Sequence, residues 1–308
     1  MEWQKLGRIF NPVSDRTKHH PLLETHASNP TPIFLKGDTY RVLYSGRDKK
    51  NRSSVGFFDF NLKTLEISNA NNPPLFTFGP PGSFYDSGVG LGGAYSTKGK
   101  TYILFMGWQN PPNEHWRGDI GQLELSKDFK LTLKSQEPVL RLSEIDPLSF
   151  SYPWVFVSED NRLSMIYGST KTWAASNGEM IHVLNYAESV DGKNWEPQGL
   201  CIPYKENYAQ AFSRPSVYID NQMNKHMWFS YRSGTGEKYR IGYASKSLTD
   251  TNWQINLKKS GISISQSGWD SEMIEYPYVF EHKGEVYMLY NGNNYGKSGI
   301  GFAVLQLR

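Results

Sequence analysis

The sequence predicts an all-β protein, a single five-bladed β-propeller, and three observations support this prediction. A two-strand pattern returns five times, at intervals of 61 or 62 residues. The strands of each copy are rich in β-branched and aromatic residues, and glycine, proline and asparagine separate them. A repeat of this length with such turns is typical of propeller blades. The five copies begin at Ile33-Phe34, Ala94-Tyr95, Val155-Phe156, Val217-Tyr218 and Val279-Phe280.

The further strands of each blade follow in order along the chain. A second strand is predicted at residues 40–46, 102–108, 163–169, 226–232 and 286–292. A third strand carries a Gly-aromatic step at Gly56-Phe57, Gly242-Tyr243 and Gly301-Phe302. We therefore expect one domain over residues 1–308, with blades at about 27–80, 81–140, 141–203, 204–262 and 263–308.

After the third predicted strand of the fifth blade, too few residues follow to form a fourth strand. Residues near 2–9 alternate weakly in polarity, and we expect them to supply that strand and close the ring. Closure would remove exposed sheet edges, which otherwise promote aggregation.

Composition narrows the classes of function. Lys+Arg 33 against Asp+Glu 30 gives a net charge of +3, too balanced to indicate nucleic acid or an anionic membrane as partner. No apolar run is long enough for a membrane span, and the first residues lack the apolar core of a signal peptide, so we expect a cytoplasmic protein. Cys201 is the single cysteine, and no histidine pair has metal-ligand spacing, so neither a catalytic metal nor a cofactor is expected.

Aromatic residues are unusually frequent, with 19 Tyr, 16 Phe and 9 Trp. Most are expected to pack between blades. Tryptophans just outside the predicted strands are candidates for stacking on the apolar faces of sugar rings: Trp108, Trp116, Trp173 and Trp269.

The repeat also assigns the loops to faces. The first strands line the propeller axis, and antiparallel order places the loops entering strand one and those following strand two on the same face. The candidate catalytic acids there are Asp86, Asp270, Glu272 and Glu275. The candidate substrate-binding residues are His26, Asn29, Arg47, Trp108, Trp173, Arg214, Arg232, Tyr276, Asn291 and Asn293.

Such a set suits acid–base chemistry on a glycosidic bond, which needs one protonated and one ionised carboxyl group. Structural roles compete with this interpretation. Asp86 and Asp270 are also suited to capping tight turns, and an ion pair with Arg214 would make Glu275 structural.

The segment Glu275-Tyr276-Pro277-Tyr278-Val279 and the following residues 284–290 resemble a segment of the five-bladed propeller glycosidases, a superfamily of arabinanases, xylosidases, invertases, levansucrases and mannoside phosphorylases. The wider pattern, including NPTPIF, YDSGVG, SRPSVY and YNGNNYG, resembles uncharacterised propeller proteins found near surface-polysaccharide genes. The resemblance covers essentially the whole chain. It implies a carbohydrate-active enzyme with Glu275 as general acid.

Two departures from the superfamily affect the mechanism. The first strand of the resembling enzymes begins with a catalytic Asp-Pro step, whereas this chain has Asn29-Pro30. The Glu-x-Pro segment also lies in the last blade rather than a middle one. Since an amide can neither accept a proton nor attack a sugar carbon, either another carboxylate is the base, with Asp86 or Glu272 the nearest candidates, or the acceptor supplies the nucleophile itself.

Three functions therefore stay open. The first is a glycosidase-like enzyme acting on a carbohydrate or glycoconjugate, including anionic ones, in polysaccharide metabolism. The second is a non-catalytic propeller that binds a glycan or a protein. The third is a glycosyltransferase or phosphorylase with a phosphate-bearing donor or acceptor, which the arginines favour.

Overall fold

The computed structural model describes residues 1–12, 20–70, 72–158 and 162–306. Within these ranges the chain forms twenty β-strands, one short 3-10 helix at Leu257–Ser260 and no α-helix. The prediction of an all-β fold is confirmed.

The strands form five antiparallel units. The chain begins with β1 (Glu2–Phe10). Unit one contains β2 (Thr25–Lys36), β3 (Thr39–Arg47), β4 (Ser53–Asn61) and β5 (Ile67–Ser68). Unit two contains β6 (Gly88–Thr97), β7 (Lys100–Gln109), β8 (Arg117–Leu125) and β9 (Leu131–Leu133). Unit three contains β10 (Ser149–Val157), β11 (Leu163–Thr172), β12 (Ile181–Ser189) and β13 (Glu196–Leu200). Unit four contains β14 (Ala211–Ile219), β15 (Lys225–Arg232), β16 (Arg240–Lys246) and β17 (Gln254–Ile255), and unit five contains β18 (Glu275–His282), β19 (Glu285–Asn291) and β20 (Ile300–Gln306).

The N-terminal strand completes unit five. The sheet order is β1-β20-β19-β18, and β1 pairs antiparallel with β20 from Glu2↔Gln306 to Phe10↔Ile300. The register shifts between Lys5 and Gly7, and Gly7 has a φ of 107°, which a residue without a Cβ adopts without strain. The two ends of the chain thus share one sheet.

The first strands of successive units touch one another. Contacts join β2 to β6, β6 to β10, β10 to β14, β14 to β18, and β18 to β2. Two single parallel bridges, Ser53↔Gly88 and His182↔Ala211, also link units one and two and units three and four. The inner ends of all five first strands are therefore brought together.

Buried aromatic side chains fill the spaces between units and part of the centre. Trp154 of unit three and Tyr278 of unit five lie edge to face, with ring centroids 4.7 Å apart. Phe60 of unit one meets Phe302 of unit five at 5.1 Å. Such aromatic pairs add about 0.5–1.5 kcal/mol beyond the burial of their surface. Across the described ranges, no helix has the length and apolar character needed to cross a bilayer.

Candidate functional site

A repeated β-bulge shapes the inner end of the first strands. In four units a residue with positive φ precedes a proline at this point: Asn29 (57°), Tyr152 (26°), Arg214 (45°) and Tyr276 (52°). In unit two, Gly92 and Gly93 lie within the bulge. A bulge re-aims the side chain it carries, and left-handed backbone at a bulky residue costs about 1–3 kcal/mol, a strain that concentrates at functional sites.

Glu275 occupies a position that serine holds in three other units. The last ladder pair before the bulge is formed by Ser28, Ser151 and Ser213 in units one, three and four, by Leu91 in unit two and by Glu275 in unit five. The fold thus introduces a carboxyl group into a ring of mostly small polar side chains.

A cavity of about 620 Å³ opens at this end of the first strands. All five first strands contribute to its wall, through Ser28, Asn29, Gly90, Ser151, Tyr152, Ser213 and Tyr276. Strand ends and loops add Ser45, Arg47, Asn51, Ser53, Met106, Trp108, Asn110, His115, Trp116, Trp173, Gly178, Glu179, Met180, His182, Arg232, Tyr239 and Tyr295. The volume lies within the range of small-molecule sites, about 300–1,000 Å³.

Close packing of backbone and ring forms part of the wall. A Cβ at Gly90 would lie 2.7 Å from Cε1 of Tyr152, so a side chain there would displace the ring. Tyr152 in turn packs on Tyr276 with ring centroids 5.1 Å apart. The two strained tyrosines thus support each other within the cavity wall.

The Glu275 side chain is fully buried, at 0% exposure, and neither carboxyl oxygen has a hydrogen-bond partner among the described residues. Burial raises the pKa of Glu275 well above 4.5, against the opposing charge of Arg47. Burial also raises the pKa of four tyrosines in the cavity wall, Tyr152, Tyr239, Tyr276 and Tyr295. A negative charge on Glu275 would raise the pKa of each of them further. Glu275 itself is not among the residues that line the cavity; it lies next to the lining residue Tyr276 in β18, in an environment that favours the protonated form of its carboxyl group.

Two arginines and one carboxylate carry the charge of the wall. Arg232 Nη2 lies 3.2 Å from Glu179 Oε2. Arg47 donates from Nη1 to Asn51 Oδ1 at 2.8 Å, and its guanidinium lies 5.9 Å from the ring centre of Trp108. Arg232 is therefore neutralised by an acid, whereas Arg47 forms no ion pair with a carboxylate of the described chain.

Aromatic rings form a further part of the cavity wall. His115 stacks on Trp173 with centroids 4.6 Å apart, and Trp116 meets Trp173 edge to face at 5.0 Å. Trp108 is fixed by donation of its Nε1–H to Ser53 Oγ at 2.8 Å. Flat rings held in place at a cavity wall suit the C–H faces of sugars.

His182 is buried in this wall and holds two hydroxyl groups. Its Nε2 lies 2.6 Å from Ser151 Oγ and its Nδ1 lies 2.7 Å from Thr170 Oγ1. Burial, and next the charge of Arg232, lowers the pKa of His182 to about 3. This histidine is neutral at physiological pH, and it links three strands of unit three through polar side chains.

Six of the predicted substrate-binding residues line the cavity: Asn29, Arg47, Trp108, Trp173, Arg232 and Tyr276. The Nδ2 group of Asn29 is buried without a partner among the described residues, which leaves a donor for a ligand. Asn291 positions Asn29, because its Oδ1 accepts from Asn29 N at 2.9 Å while its Nδ2 donates to Ala27 O and Gly299 O. Asn293 instead holds the preceding loop, accepting from the backbone N–H groups of Glu272 and Met273.

Arg214 lies in the interior, outside the residues that line the cavity, at 1% exposure. Its Nη1 donates to Leu91 O and its Nη2 to Pro30 O, both at 2.8 Å. Burial lowers the pKa of Arg214 to about 10, so the side chain keeps its charge at neutral pH. It joins units one, two and four, and the alternative of an ion pair with Glu275 is not formed.

Like Glu275, the other three predicted catalytic acids are not among the residues that line the cavity. Asp86 accepts from Gly82 N at 3.1 Å and from Ser87 Oγ at 3.0 Å within a turn. Asp270 is buried, where it pairs with Lys5 Nζ at 2.7 Å and accepts from Tyr290. Glu272 is half exposed and pairs with Lys238. A catalytic role for Asp86, Asp270 and Glu272 stays a prediction.

His26 lies near this face, also outside the lining residues. Its Nδ1 is 2.9 Å from Thr25 Oγ1. Burial, and then the charges of Arg47 and Lys297, lowers the pKa of His26 to about 3. His26 is therefore a neutral side chain at physiological pH.

The structure adds residues that sequence reasoning did not select. Glu179, Tyr239 and Tyr295 reach the cavity from loops, where no periodic pattern marks them. Tyr152 carried a signal, because Tyr152-Pro153 repeats the Tyr276-Pro277 step at the same place in its unit. Over the described ranges, no group of three or more His, Cys, Asp or Glu side chains is arranged to hold a metal ion.

The buried carboxyl group of Glu275 predicts an unusual pH dependence of stability. Because the pKa of Glu275 in the folded protein lies well above 4.5, the folded protein binds this proton more tightly than the unfolded chain does. The protonated carboxyl group therefore contributes stability that is lost as pH rises from about 4.5 to the folded-state pKa. Glu275→Gln stays neutral, so its Tm relative to that of the wild type is expected to increase with pH across this window. Thermal unfolding of both proteins at a series of pH values measures the effect, and a Tm difference that does not vary with pH would contradict it.

Comparison with known proteins relates the chain to uncharacterized proteins of Mycobacterium tuberculosis and, in structure, to glycoside hydrolases. No family model matches the sequence. The "Uncharacterized protein MT1551" of Mycobacterium tuberculosis (strain CDC 1551 / Oshkosh) is 37% identical over 311 residues, covering 99% of this chain and 100% of that protein. A structure named "Glycoside hydrolase" superposes with a TM-score of 0.74 at 14% identity, covering 99% of this chain and 92% of the other.

A second solved structure is the endo-arabinase from Bacteroides thetaiotaomicron VPI-5482, with a TM-score of 0.68 at 12% identity, covering 94% of this chain and 98% of that chain. At such identities the likeness establishes the fold. The predicted resemblance to propeller glycosidases is thus confirmed at that level. The chain belongs to the same family as the uncharacterized protein MT1551 of Mycobacterium tuberculosis, and it has the fold of the propeller glycoside hydrolases.

Proposed function

We propose that this protein is a carbohydrate-active enzyme that cleaves or transfers a glycosyl unit in the 620 Å³ cavity, with Glu275 as general acid. The observation that carries the proposal is the buried carboxyl group of Glu275, which has no hydrogen-bond partner among the described residues and belongs to the residue immediately before the lining residue Tyr276. A carboxylic acid kept protonated by burial can give its proton to the oxygen of a leaving sugar. The glycoside hydrolase fold adds support from an independent direction.

The second carboxylate is Glu179 in this proposal. It lies in the cavity wall, next to Arg232, whereas Asp86 is held in a turn by Gly82 and Ser87. Glu179 and Glu275 thus occupy contrasting environments, one in an ion pair and one without a partner. This contrast is the arrangement that separates an acid from a base in glycoside cleavage.

The rings of the wall supply binding in this scheme. Trp108 and Trp173 offer flat apolar surfaces to a sugar, and Asn29 Nδ2 offers an unpartnered donor to a hydroxyl group. Because Asn29 stands where the resembling enzymes carry a catalytic aspartate, its amide binds substrate here and takes no part in proton transfer.

The same residue favours a second function, a glycan-binding propeller without catalysis. An amide at the place of a catalytic acid, with a buried donor free for a hydroxyl group, is what a binding site requires. Such a protein would bind sugars in this cavity and leave them unchanged.

Turnover of aryl glycosides and oligosaccharides by the purified protein across a range of pH separates the two functions. Since the acid must be protonated, we expect the rate to fall at high pH. The raised pKa of Glu275 should shift the midpoint of this fall to a higher pH than for an ordinary glutamate. Binding without turnover would support the glycan-binding function instead. Absence of both would contradict the two proposals together.

The architecture that supports this site is proposed to be a closed five-bladed propeller with the five units as its blades. The chain of contacts from β2 through β6, β10, β14 and β18 back to β2 supports the ring. The pairing of β1 with β20 supports its closure through the N-terminal strand.

A further inference from the structure

We propose that the substrate carries an anionic group on its sugar and that Arg47 binds this group. The inference rests on the proposed function, since it names the substrate class of the same cavity. The recognising chemistry is that of a carboxylate or a phosphate held by a guanidinium.

Arg47 and Arg232 stand at equivalent places in units one and four. Ser45 pairs with Ser28, and Ser230 pairs with Ser213, each in the last ladder pair before the bulge. Each arginine follows two residues later and ends its strand. The repeat therefore offers an internal comparison between two cavity arginines in the same local setting.

The two arginines differ in their partners. Arg232 has Glu179 at 3.2 Å, so its charge is already balanced. Arg47 has the neutral amide of Asn51 and the face of Trp108. Among residues 1–12, 20–70, 72–158 and 162–306, no carboxylate forms an ion pair with Arg47, and no acceptor other than Asn51 is assigned to its guanidinium.

Nearby acids do not balance Arg47 either. Glu275 lies close enough to Tyr152 and Tyr295 for its charge to shift their pKa, as that of Arg47 does. Burial, however, favours the uncharged form of Glu275, which cannot balance the charge of Arg47. Arg214 adds a further charge in the interior beside Tyr152 and Tyr276, and its partners are neutral oxygens. The cavity region thus has a surplus of positive charge, which an anionic ligand would compensate.

The geometry around Arg47 suits a charged sugar. Asn51 holds one nitrogen at 2.8 Å and thereby fixes the guanidinium at the cavity wall, while the remaining N–H groups stay available. A planar guanidinium forms two parallel hydrogen bonds to a carboxylate, a geometry that lysine cannot reproduce. Trp108, directly beside Arg47, supplies the surface on which the ring of the same sugar would stack.

Binding to the Glu275→Gln variant, which separates binding from turnover, tests the proposal. Glucuronate and galacturonate are titrated against glucose and galactose by calorimetry, and glucose 6-phosphate distinguishes phosphate from carboxylate as the preferred anion. We expect the acidic sugars to bind at least about tenfold more tightly than their neutral parents. High salt is expected to reduce the preference.

Variants of the arginine locate the effect. Adding Arg47→Gln should remove the preference, measured as the ratio of the Kd of the acidic sugar to that of its neutral parent, and Arg47→Lys should retain part of it through charge. Arg141→Gln, at a side chain 79% exposed, serves as the control that keeps the preference. The absence of any preference, whether because all sugars bind equally or because none binds, would overturn the proposal, as would a preference that survives Arg47→Gln.

The outcomes also separate this inference from the proposed function. An Arg47-dependent preference in a protein that turns over no glycoside would keep the anionic site and remove the catalytic role. Equal turnover of acidic and neutral glycosides by the wild type would keep the catalytic role and remove the anionic site.

Discussion

Glutamine at position 275 is expected to lower the turnover of a glycoside with a poor leaving group by roughly 10²–10⁴-fold, the usual contribution of a general acid. The amide keeps the shape of the buried side chain but has no acidic proton to give. Binding should change little, because the carboxyl group of Glu275 forms no hydrogen bond within the described part of the chain that the amide would lose. Steady-state kinetics of wild type and variant, with kcat and KM determined separately, measure the effect.

The leaving group provides a control within this experiment. Dinitrophenolate departs without protonation, so Glu275→Gln should retain much more activity on a dinitrophenyl glycoside than on an alkyl glycoside. Glu281→Gln is the matched protein control, because Glu281 is an exposed residue of the same strand β18. Equal losses on both glycosides, or no loss on either, would remove Glu275 from the role of acid.

Deletion of residues 1–10 is the second change with a large expected effect, on stability. It removes β1, and with it the partner strand of β20. Trp3 lies edge to face on Trp228 at 5.3 Å, and Phe10 stacks on Phe58 at 4.5 Å. Loss of a buried aromatic side chain costs about 3–5 kcal/mol, so we expect a Tm at least about 10 °C lower, or no soluble folded protein.

Point variants keep this prediction testable when the deletion does not fold. Trp3→Ala should lower the free energy of unfolding by about 3–5 kcal/mol, whereas Leu6→Thr, at an exposed position of the same strand, should change it by less than about 0.5 kcal/mol. Thermal and denaturant unfolding give both values. A deletion variant with the Tm of the full chain would show that β1 does not contribute to the stability of unit five.

The repeat allowed much of the fold to be predicted, since a two-residue period in short strands directly reports which faces are buried. The all-β class and an N-terminal strand beside the last strand both followed from counting strands. The Glu-Tyr-Pro step was also informative, because a carboxyl group on a predicted inner strand is costly to bury without a reason. This step distinguishes Glu275 from the other acids on the basis of sequence alone.

The partners of charged residues lay beyond such reasoning. In the sequence Asp270 and Glu275 cannot be distinguished by position, because both are acids at or just before the start of β18. Lys5, 265 residues away in sequence, is brought to Asp270 by the pairing of β1, whereas none of the residues that the structure describes forms a hydrogen bond with the Glu275 carboxyl group. Glu179 escaped selection because a loop residue carries no periodic signal, and its place in the cavity follows from tertiary folding alone.

The protonation state of Glu275 is the central claim, and carbon-13 NMR of protein labelled at the glutamate carboxyl carbons tests it directly. Titration of wild type and Glu275→Gln identifies the resonance of Glu275 as the one that the variant lacks. We predict that this resonance keeps the chemical shift of a protonated carboxyl group at pH values well above 4.5. Ionisation of Glu275 together with the exposed glutamates would contradict the account.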